Sequence, residues 1–347
     1  MTGVDGNAIT LLADIGGTNT RVALARGGRL LPDTIRRFAN AGRPALEPIL
    51  ADYIAAEGVQ GIAGACVAAA GPVAGARAVM TNLDWVIEGA AVAEVTGAAR
   101  VAVLNDLQAQ GHALGHIAPA ALAPVIAAPG AKTGGTMLVV GLGTGGNAAP
   151  VHGSGAARLV PPSECGHVNL PVRSEEDFAL MRFIERLLQS RGEAAHCGVE
   201  EVLSGRGLAN LAAFCAAEAG RAPFADSAAV LAGLAAGDPV AAQTARLYTR
   251  ILAQFLADQA LVHLPLGGIF LIGGMARAMA PHLAAHDFEA IFRAPRRVDL
   301  LTRDFAISVV EDDYAALTGC AAFLQSQLPG CGPPPASAQG RCGTQNI

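Results

Sequence analysis

The sequence predicts a two-domain α/β protein, and three observations lead to that expectation. Its 347 residues exceed what one hydrophobic core ordinarily organises. Short apolar runs of strand character alternate with longer stretches whose apolar residues recur at helical spacing. A strand, a glycine turn and a second strand follow one another twice, over 9–25 and 136–151, which suggests a duplicated architecture.

In chain order, the first unit reads ITLLAD, IGGTNT, RVALA. Residues 44–57 carry apolar side chains at helical spacing, and 61–70 read as a buried strand ahead of the Gly71-Pro72 turn. A short apolar strand over 101–104 delivers Asn105 and Asp106 to the start of a helix. The second unit reads TMLVV, GLGTGGN, AAPV. Ser174, followed by Glu175, Glu176 and Asp177, resembles a capping box and opens a helix running to about residue 191. Residues 209–263 are mostly helical by composition and spacing. A buried strand over 268–272 ends at Gly273-Gly274, another covers 306–310, and 314–328 form the last helix. Beyond Pro329 the composition turns to Gly, Pro, Ser and Gln, which predicts a disordered tail over 330–347.

Composition excludes several classes of function. Apolar residues make up 52% of the chain and charged ones 15%, as in a compact folded protein. A formal charge of −5 disfavours nucleic acid, whose binding rests on Lys and Arg neutralising phosphates. The basic cluster Arg293, Arg296 and Arg297 reads as a solvated face. Lys132 is the sole lysine, which argues against Schiff-base chemistry, and Gly130-Ala131-Lys132-Thr133 reads as a surface loop, not a P-loop. Seven cysteines without a C-x-x-C pair argue against a disulfide framework or structural zinc and point to the reducing cytoplasm. The opening residues lack a basic-then-apolar leader. The uncharged runs 61–76 and 259–276 are broken by glycines, so they read as buried strands and loops, not membrane spans.

The polar motifs carry the chemistry. Asp14-Ile15-Gly16-Gly17-Thr18-Asn19 places a carboxylate at a strand end ahead of two glycines that let backbone approach a ligand closely. Backbone N–H groups with Thr18 and Asn19 suit phosphate oxygens, and Asp14 suits a magnesium shell; a plain hairpin turn is the bland reading. Gly141-Leu142-Gly143-Thr144-Gly145-Gly146 is a literal G-x-G-x-x-G, but NAAPV with Pro150 follows where a dinucleotide fold needs a helix, so a hairpin fits better. Two such loops could close on the phosphates of one nucleotide. Asn105-Asp106 at a strand end is a helix cap, a general base for an attacking hydroxyl, or both. Glu164 and His167 bracket Cys165 and a glycine that permits an unusual turn, and with Glu200 they suit a polyhydroxy ligand. Taken singly, His167 is a structural histidine, and Glu200 with Glu201 a solvated pair.

Together these residues resemble the bacterial glucokinase family, whose members share the hexokinase and actin-like ATPase fold. LLADIGGTNTRVAL, MTNLDW, LNDLQAQGHAL, VVGLGTGGN, SECGHVNLP, EEVLSGRGL and FLIGGM occur in the family's order between about residues 10 and 328. The resemblance implies a two-domain, ribonuclease H-like α/β fold with the active-site cleft between a small domain (1–116 plus 313–329) and a large one (117–312). It implies transfer of the ATP γ-phosphoryl group to the 6-hydroxyl of D-glucose, the opening step of glycolysis, with Asp106 as base. Asn82, Asn105, Glu164, His167 and Glu200 are then sugar contacts. Asp14, Ile15, Gly16, Gly17, Thr18 and Asn19 form the first phosphate loop, with Asp14 reaching Mg2+ through water. Gly143, Thr144 and Gly145 form the second, and Gly273-Gly274 turn beside the adenosine. A homodimer is compatible with it. Cys165 departs from the small glycine usual at its position, and the zinc cysteines of the related repressor and kinase family are missing. The rivals are a nicotinamide-dependent dehydrogenase and a sugar-responsive regulator, the latter opposed by the few residues ahead of the first strand.

Overall fold

The structure is a computed structural model that describes residues 8–128, 134–297 and 304–327. The tail expected over 330–347 and the 130–133 segment lie outside the described residues.

β1 (Ile9–Ile15) turns through the glycines into antiparallel β2 (Asn19–Arg26), with Ile15 opposite Thr20. The short β3 (Arg29–Leu30) and β4 (Arg36–Ala39) add to β2. α1 (Glu47–Glu57) then buries Ile49, Leu50 and Tyr53 on the sheet and ends at Gly58. β5 (Gly64–Ala69) is buried throughout and runs parallel to β1. Its small residues, GACVAA, fit a strand covered on both faces. β6 (Val73–Ala74), β7 (Arg77–Val79) and β8 (Val86–Glu88) form a separate three-stranded flap. α2 (Gly89–Thr96) leads to β9 (Arg100–Asn105), parallel to β5, and β9 runs directly into α3 (Asp106–Ala113).

The second sheet begins with β10 (Leu122–Ile126) and the hairpin of β11 (Met137–Leu142) and β12 (Gly146–Val151). A helical segment follows: α4 (Glu175–Ser190), α5 (Glu200–Leu203), α6 (Gly205–Glu218), α7 (Ser227–Ala235) and α8 (Pro239–His263). Ser174 caps α4 by accepting from the Asp177 N–H at 3.1 Å, as the acidic run after it predicts. β13 (Ile269–Ile272), α9 (Gly274–Leu283), α10 (Phe288–Phe292), β14 (Ile307–Val310) and α11 (Ala315–Gln327) complete the chain.

The duplication expected from the two glycine units is present in the topology. In the first sheet β2, β1, β5 and β9 lie side by side; in the second, β12, β11, β13 and β14 do. In both, the leading hairpin is antiparallel and the next two strands are parallel to its first strand. In both, a helix leaves the last of these strands, α3 after β9 and α11 after β14.

Those two helices join the sheets. Ala109 of α3 packs with Leu317, Cys320 and Leu324 of α11 against Leu12, Cys66 and Ala68 of the first sheet. Leu107 and Ala113 of the same α3 pack on Val139, Ala149 and Val151 of the second. Each fully buried leucine here stabilises by roughly 1.5–3 kcal/mol. The helices meet backbone to backbone: a Cβ added at Gly319 would fall 1.7 Å from the Ala109 carbonyl oxygen.

Two expectations need correction or a narrower statement. The arginine cluster is not a solvated face: Arg293 pairs with Glu289 at 2.9 Å and Arg296 with Asp258 of α8 at 2.6 Å, leaving their side chains 23% and 20% exposed. Glu289, one turn back in α10, and Asp258 of α8 hold these two guanidinium groups down, and only Arg297 is exposed. The five cysteines among the described residues, Cys66, Cys165, Cys197, Cys215 and Cys320, are free thiols. No helix among the described residues is long and apolar enough to cross a membrane.

Because nothing can yield between two helix backbones, Gly319→Ala is expected to lower stability by about 2–3 kcal/mol despite the better helix propensity of alanine. A thermal melt reads this as a fall of several °C; an unchanged melting temperature contradicts the close α3–α11 contact.

Candidate active site

The first glycine turn is rigid. The Gly16 N–H donates to the Asn19 carbonyl at 3.0 Å, and Asn40 ties the turn from outside. Asn40 Nδ2 donates to the Gly16 carbonyl at 2.8 Å, its Oδ1 accepts from the Thr20 hydroxyl at 2.8 Å, and its N–H donates to the Thr18 carbonyl at 2.9 Å. Gly17 and Thr18 stay exposed at the tip, and Ile15 behind them is buried. Asn82 approaches the tip: a Cβ on Gly17 would lie 3.4 Å from Asn82 Cβ. A recess of about 650 Å³ opens beside Asn82, lined also by Asn40, Arg43, Met80, Thr81 and Trp85. Asp106 is not among its lining residues.

The second glycine turn is a hairpin, as the proline after it predicts, with Leu142 opposite Gly146. Gly143 donates to the Gly145 carbonyl at 2.9 Å and accepts from the Gly205 N–H, the start of α6, at 2.8 Å. Gly273 lies behind it at φ 109°, where a Cβ would meet the Leu142 carbonyl at 2.3 Å, so only glycine fits. Gly274 then opens α9. The exposed Thr144 and Gly145 are thus flanked by the N-termini of α6 and α9, whose partial positive charge and unpaired N–H groups favour anions.

At the start of α3 the two readings of Asn105-Asp106 separate. Asn105 is the cap: its Oδ1 accepts from the Leu107 N–H at 3.0 Å, and Gln108 Oε1 accepts from the Asn105 N–H at 3.2 Å, a complete capping box. Asn105 Nδ2 donates to the Gly71 carbonyl at 3.1 Å. Asp106 is therefore not needed as the cap; one oxygen, Oδ1, accepts from the Leu107 N–H at 2.8 Å. Burial pushes its carboxyl from the ordinary 3.8 up to about 6; the Leu107 N–H opposes this, and the charges of Asp14 and Glu164 add to it. Asp14 is likewise raised by burial and pulled back by Arg21, whose guanidinium lies 3.2 Å from Oδ2. Asp14 and Glu164 thus both act on Asp106, and Arg21 pairs with Asp14. No group of three or more His, Cys, Asp or Glu among the described residues could by itself hold a metal ion.

Glu164 and His167 flank a short 3-10 turn, both exposed. The glycine between them serves close approach, not an unusual turn: Gly166 has no positive φ, and a Cβ there would fall 1.8 Å from the Gly146 carbonyl oxygen. The described hydrogen bond to His167 reaches its backbone, where the carbonyl accepts from His196 Nε2 at 2.8 Å. Glu200 is no solvated acid: its Oε2 accepts from the Gly146 N–H at 3.0 Å, beneath the second hairpin. Burial raises the Cys165 thiol, which keeps it protonated and unreactive.

Sequence reasoning missed Arg21, Asn40 and Asn147. Arg21 could have been found from hairpin register, which sets it opposite Asp14. The other two act on turns distant in sequence and leave no local signal.

A duplicated frame of this kind, with the strands of both glycine hairpins anchored around one helix-borne carboxylate, defines a sugar kinase of the actin-like ATPase fold. The family model for glucokinase matches residues 11–327, and the chain belongs to the glucokinase family. A glucokinase of Pseudomonas aeruginosa (strain UCBPP-PA14) is 35% identical over 323 residues, covering 92% of this chain and 95% of that protein. The solved glucokinase from an Antarctic psychrotroph superposes with a TM-score of 0.79 at 26% identity, covering 90% of this chain and 98% of the other. A ROK family glucokinase from Streptomyces griseus, in complex with glucose and AMPPNP, shares the fold with a TM-score of 0.54 at 19% identity, over 90% of this chain and 98% of that one.

The Asp106 carboxylate has a stability signature. A carboxyl raised from 3.8 to about 6 in the folded state costs nothing well below pH 3.8, where folded and unfolded chains are both protonated. Stability then declines as pH rises through about 6. Asp106→Asn, which keeps the acceptor for Leu107, should therefore match the parent in denaturant melts at about pH 3 or below. Above pH 7 it should exceed the parent by about 2–3 kcal/mol. A pH-independent difference overturns this account of Asp106.

Proposed function

We propose that this chain transfers the γ-phosphoryl group of ATP to the 6-hydroxyl of D-glucose, forming glucose 6-phosphate and ADP, with Asp106 as general base. The observation that carries the reading is Asp106 itself: a desolvated carboxylate beside the Asn105 cap, with one oxygen on the Leu107 N–H, on a helix packed against both sheets. Its raised pKa makes it a better proton acceptor than an ordinary aspartate while leaving it ionised at neutral pH.

Asn82, Asn105, Glu164, His167 and Glu200 hold the sugar, and Asp106 takes the proton of the attacking hydroxyl as the new P–O bond forms and the bond to the β-phosphate oxygen breaks. The turn at Gly16–Asn19, behind which Ile15 is buried, and the turn at Gly143, Thr144 and Gly145 offer backbone N–H groups and hydroxyls to the phosphates. Gly273-Gly274 leave room for the adenosine.

Magnesium fits the residues present: Asp14 is a largely buried carboxylate with a single described cation partner, and it lies close enough to Asp106 to feel its charge. Phosphate oxygens and water would complete the shell, in keeping with the lack of an all-protein cage. The ion, when bound, would neutralise charge on the phosphates; Asp14 would hold it through water, and Arg21 orients Asp14.

The working unit is two halves, 1–116 with 313–329 and 117–312, that close over bound sugar so that the base and the phosphate meet with water excluded. The chain works in the cytoplasm as the opening step of glycolysis, as a homodimer.

Three measurements test this reading. Asp106→Ala should lower kcat by at least about 10²-fold while still binding glucose, read by the fluorescence of Trp85, the sole tryptophan, beside Asn82. For the parent, kcat/KM for glucose should fall on the acid side with an apparent pKa near 6, as Asp106 becomes protonated. Near-normal turnover by Asp106→Ala removes Asp106 as base, and a coupled ADP-release assay across hexoses that ranks glucose below another sugar removes the substrate assignment.

A further inference from the structure

The segment from Ser163 to Cys165 runs beside β12, which is the edge strand of the second sheet, without forming a ladder with it. Two side chains make the junction instead. Asn147 Nδ2 donates to the Ser163 carbonyl, and Asn147 Oδ1 accepts from the Cys165 N–H at 3.0 Å and from the Ala148 N–H at 2.8 Å. In return, Cys165 Sγ accepts from the Ala148 N–H at 3.2 Å and donates to the Ala148 carbonyl at 3.5 Å. The strand's side chain satisfies the loop's backbone, and the loop's side chain satisfies the strand's.

The residue enclosed by this clasp is Glu164. The Ser163 carbonyl and the Cys165 N–H belong to the two peptide groups on either side of it, so a single amide holds both. Glu164 has φ −129° and ψ 42°, outside helix and strand. Fixing both flanking peptides fixes the direction in which the Glu164 side chain leaves the backbone. The preceding residue on β12, Gly146, donates its N–H to Glu200 at 3.0 Å. Two successive residues leaving the second glycine hairpin therefore hold the two acids.

We propose that Asn147 is a positioning residue for sugar recognition, setting the carboxylate of Glu164 through the two peptides that flank it, with Cys165 as the reciprocal half of the clasp. The inference rests on the sugar-binding role of Glu164 proposed above. It gives Cys165 a function: its Sγ reaches the Ala148 backbone, which the glycine usual at that position cannot do.

The test is a double-mutant cycle on glucose kinetics. Asn147→Ala is expected to raise KM for glucose by about 10-fold and to leave KM for ATP within about twofold. Combined with Glu164→Gln, it should make kcat/KM for glucose no worse than Glu164→Gln alone, within about twofold, because both changes remove one contact. Cys165→Ala should shift KM for glucose in the same direction by about threefold and show the same non-additivity; it supplies the cycle if Asn147→Ala does not fold. Effects that multiply, or a KM for ATP raised as much as that for glucose, overturn the positioning role while leaving the sugar role of Glu164 intact. A Glu164→Gln enzyme with unimpaired glucose kinetics removes that sugar role, and this proposal with it.

Discussion

The contact on which the arrangement depends is the meeting of α3 and α11 without intervening side chains. Gly319 against the Ala109 carbonyl brings the two helix backbones together, and each helix also leaves the last strand of one copy of the repeated sheet pattern. α3 presents small or branched apolar residues in opposite directions, Ala109 toward α11 and the first sheet, Leu107 and Ala113 toward the second. Its first turn carries Asp106, so the carboxylate is held by packing against both sheets and not by a loop. Packed helices shift as bodies, which suits a site whose geometry must be reproducible.

Charge at that turn is set by the same geometry. Asp14 lies one residue from the end of β1 in the first half, Glu164 comes from the second, and both raise the Asp106 carboxyl already lifted by burial. Arg21, set opposite Asp14 by hairpin register, offsets part of the burial of Asp14. Burial and the two neighbouring acids together make the Asp106 carboxyl more basic than an ordinary aspartate.

Much of this was legible in the chain because the signals are local. Glycine turns between apolar runs mark both hairpins, and Pro150 tells the second from a dinucleotide-binding turn. Asp106 is visible as an acid at a strand end, although the assignment of the cap to Asn105 is visible only once Gln108 is seen to close the box with it. What escaped sequence reasoning involves partners remote along the chain. Asn40 reaches Gly16, Arg296 reaches Asp258, and the need for glycine at 166 and 319 comes from a carbonyl on another element. Backbone freedom can be read from a glycine's neighbours in sequence, whereas close approach requires its neighbours in space.

The two copies of the strand pattern differ in what they place at equivalent points. In the first hairpin the penultimate residue of the leading strand is Asp14, opposite Arg21; in the second it is Gly141, opposite Asn147. One copy thus holds an ion pair where the other holds a residue without a side chain facing an amide that has turned to the neighbouring loop. The symmetry of the frame is broken in its chemistry: one hairpin is electrostatically committed, and the other is neutral and bound to the segment that carries Glu164. A fold built by repetition has become polar along the line joining its halves, so its two equivalent turns present different surroundings.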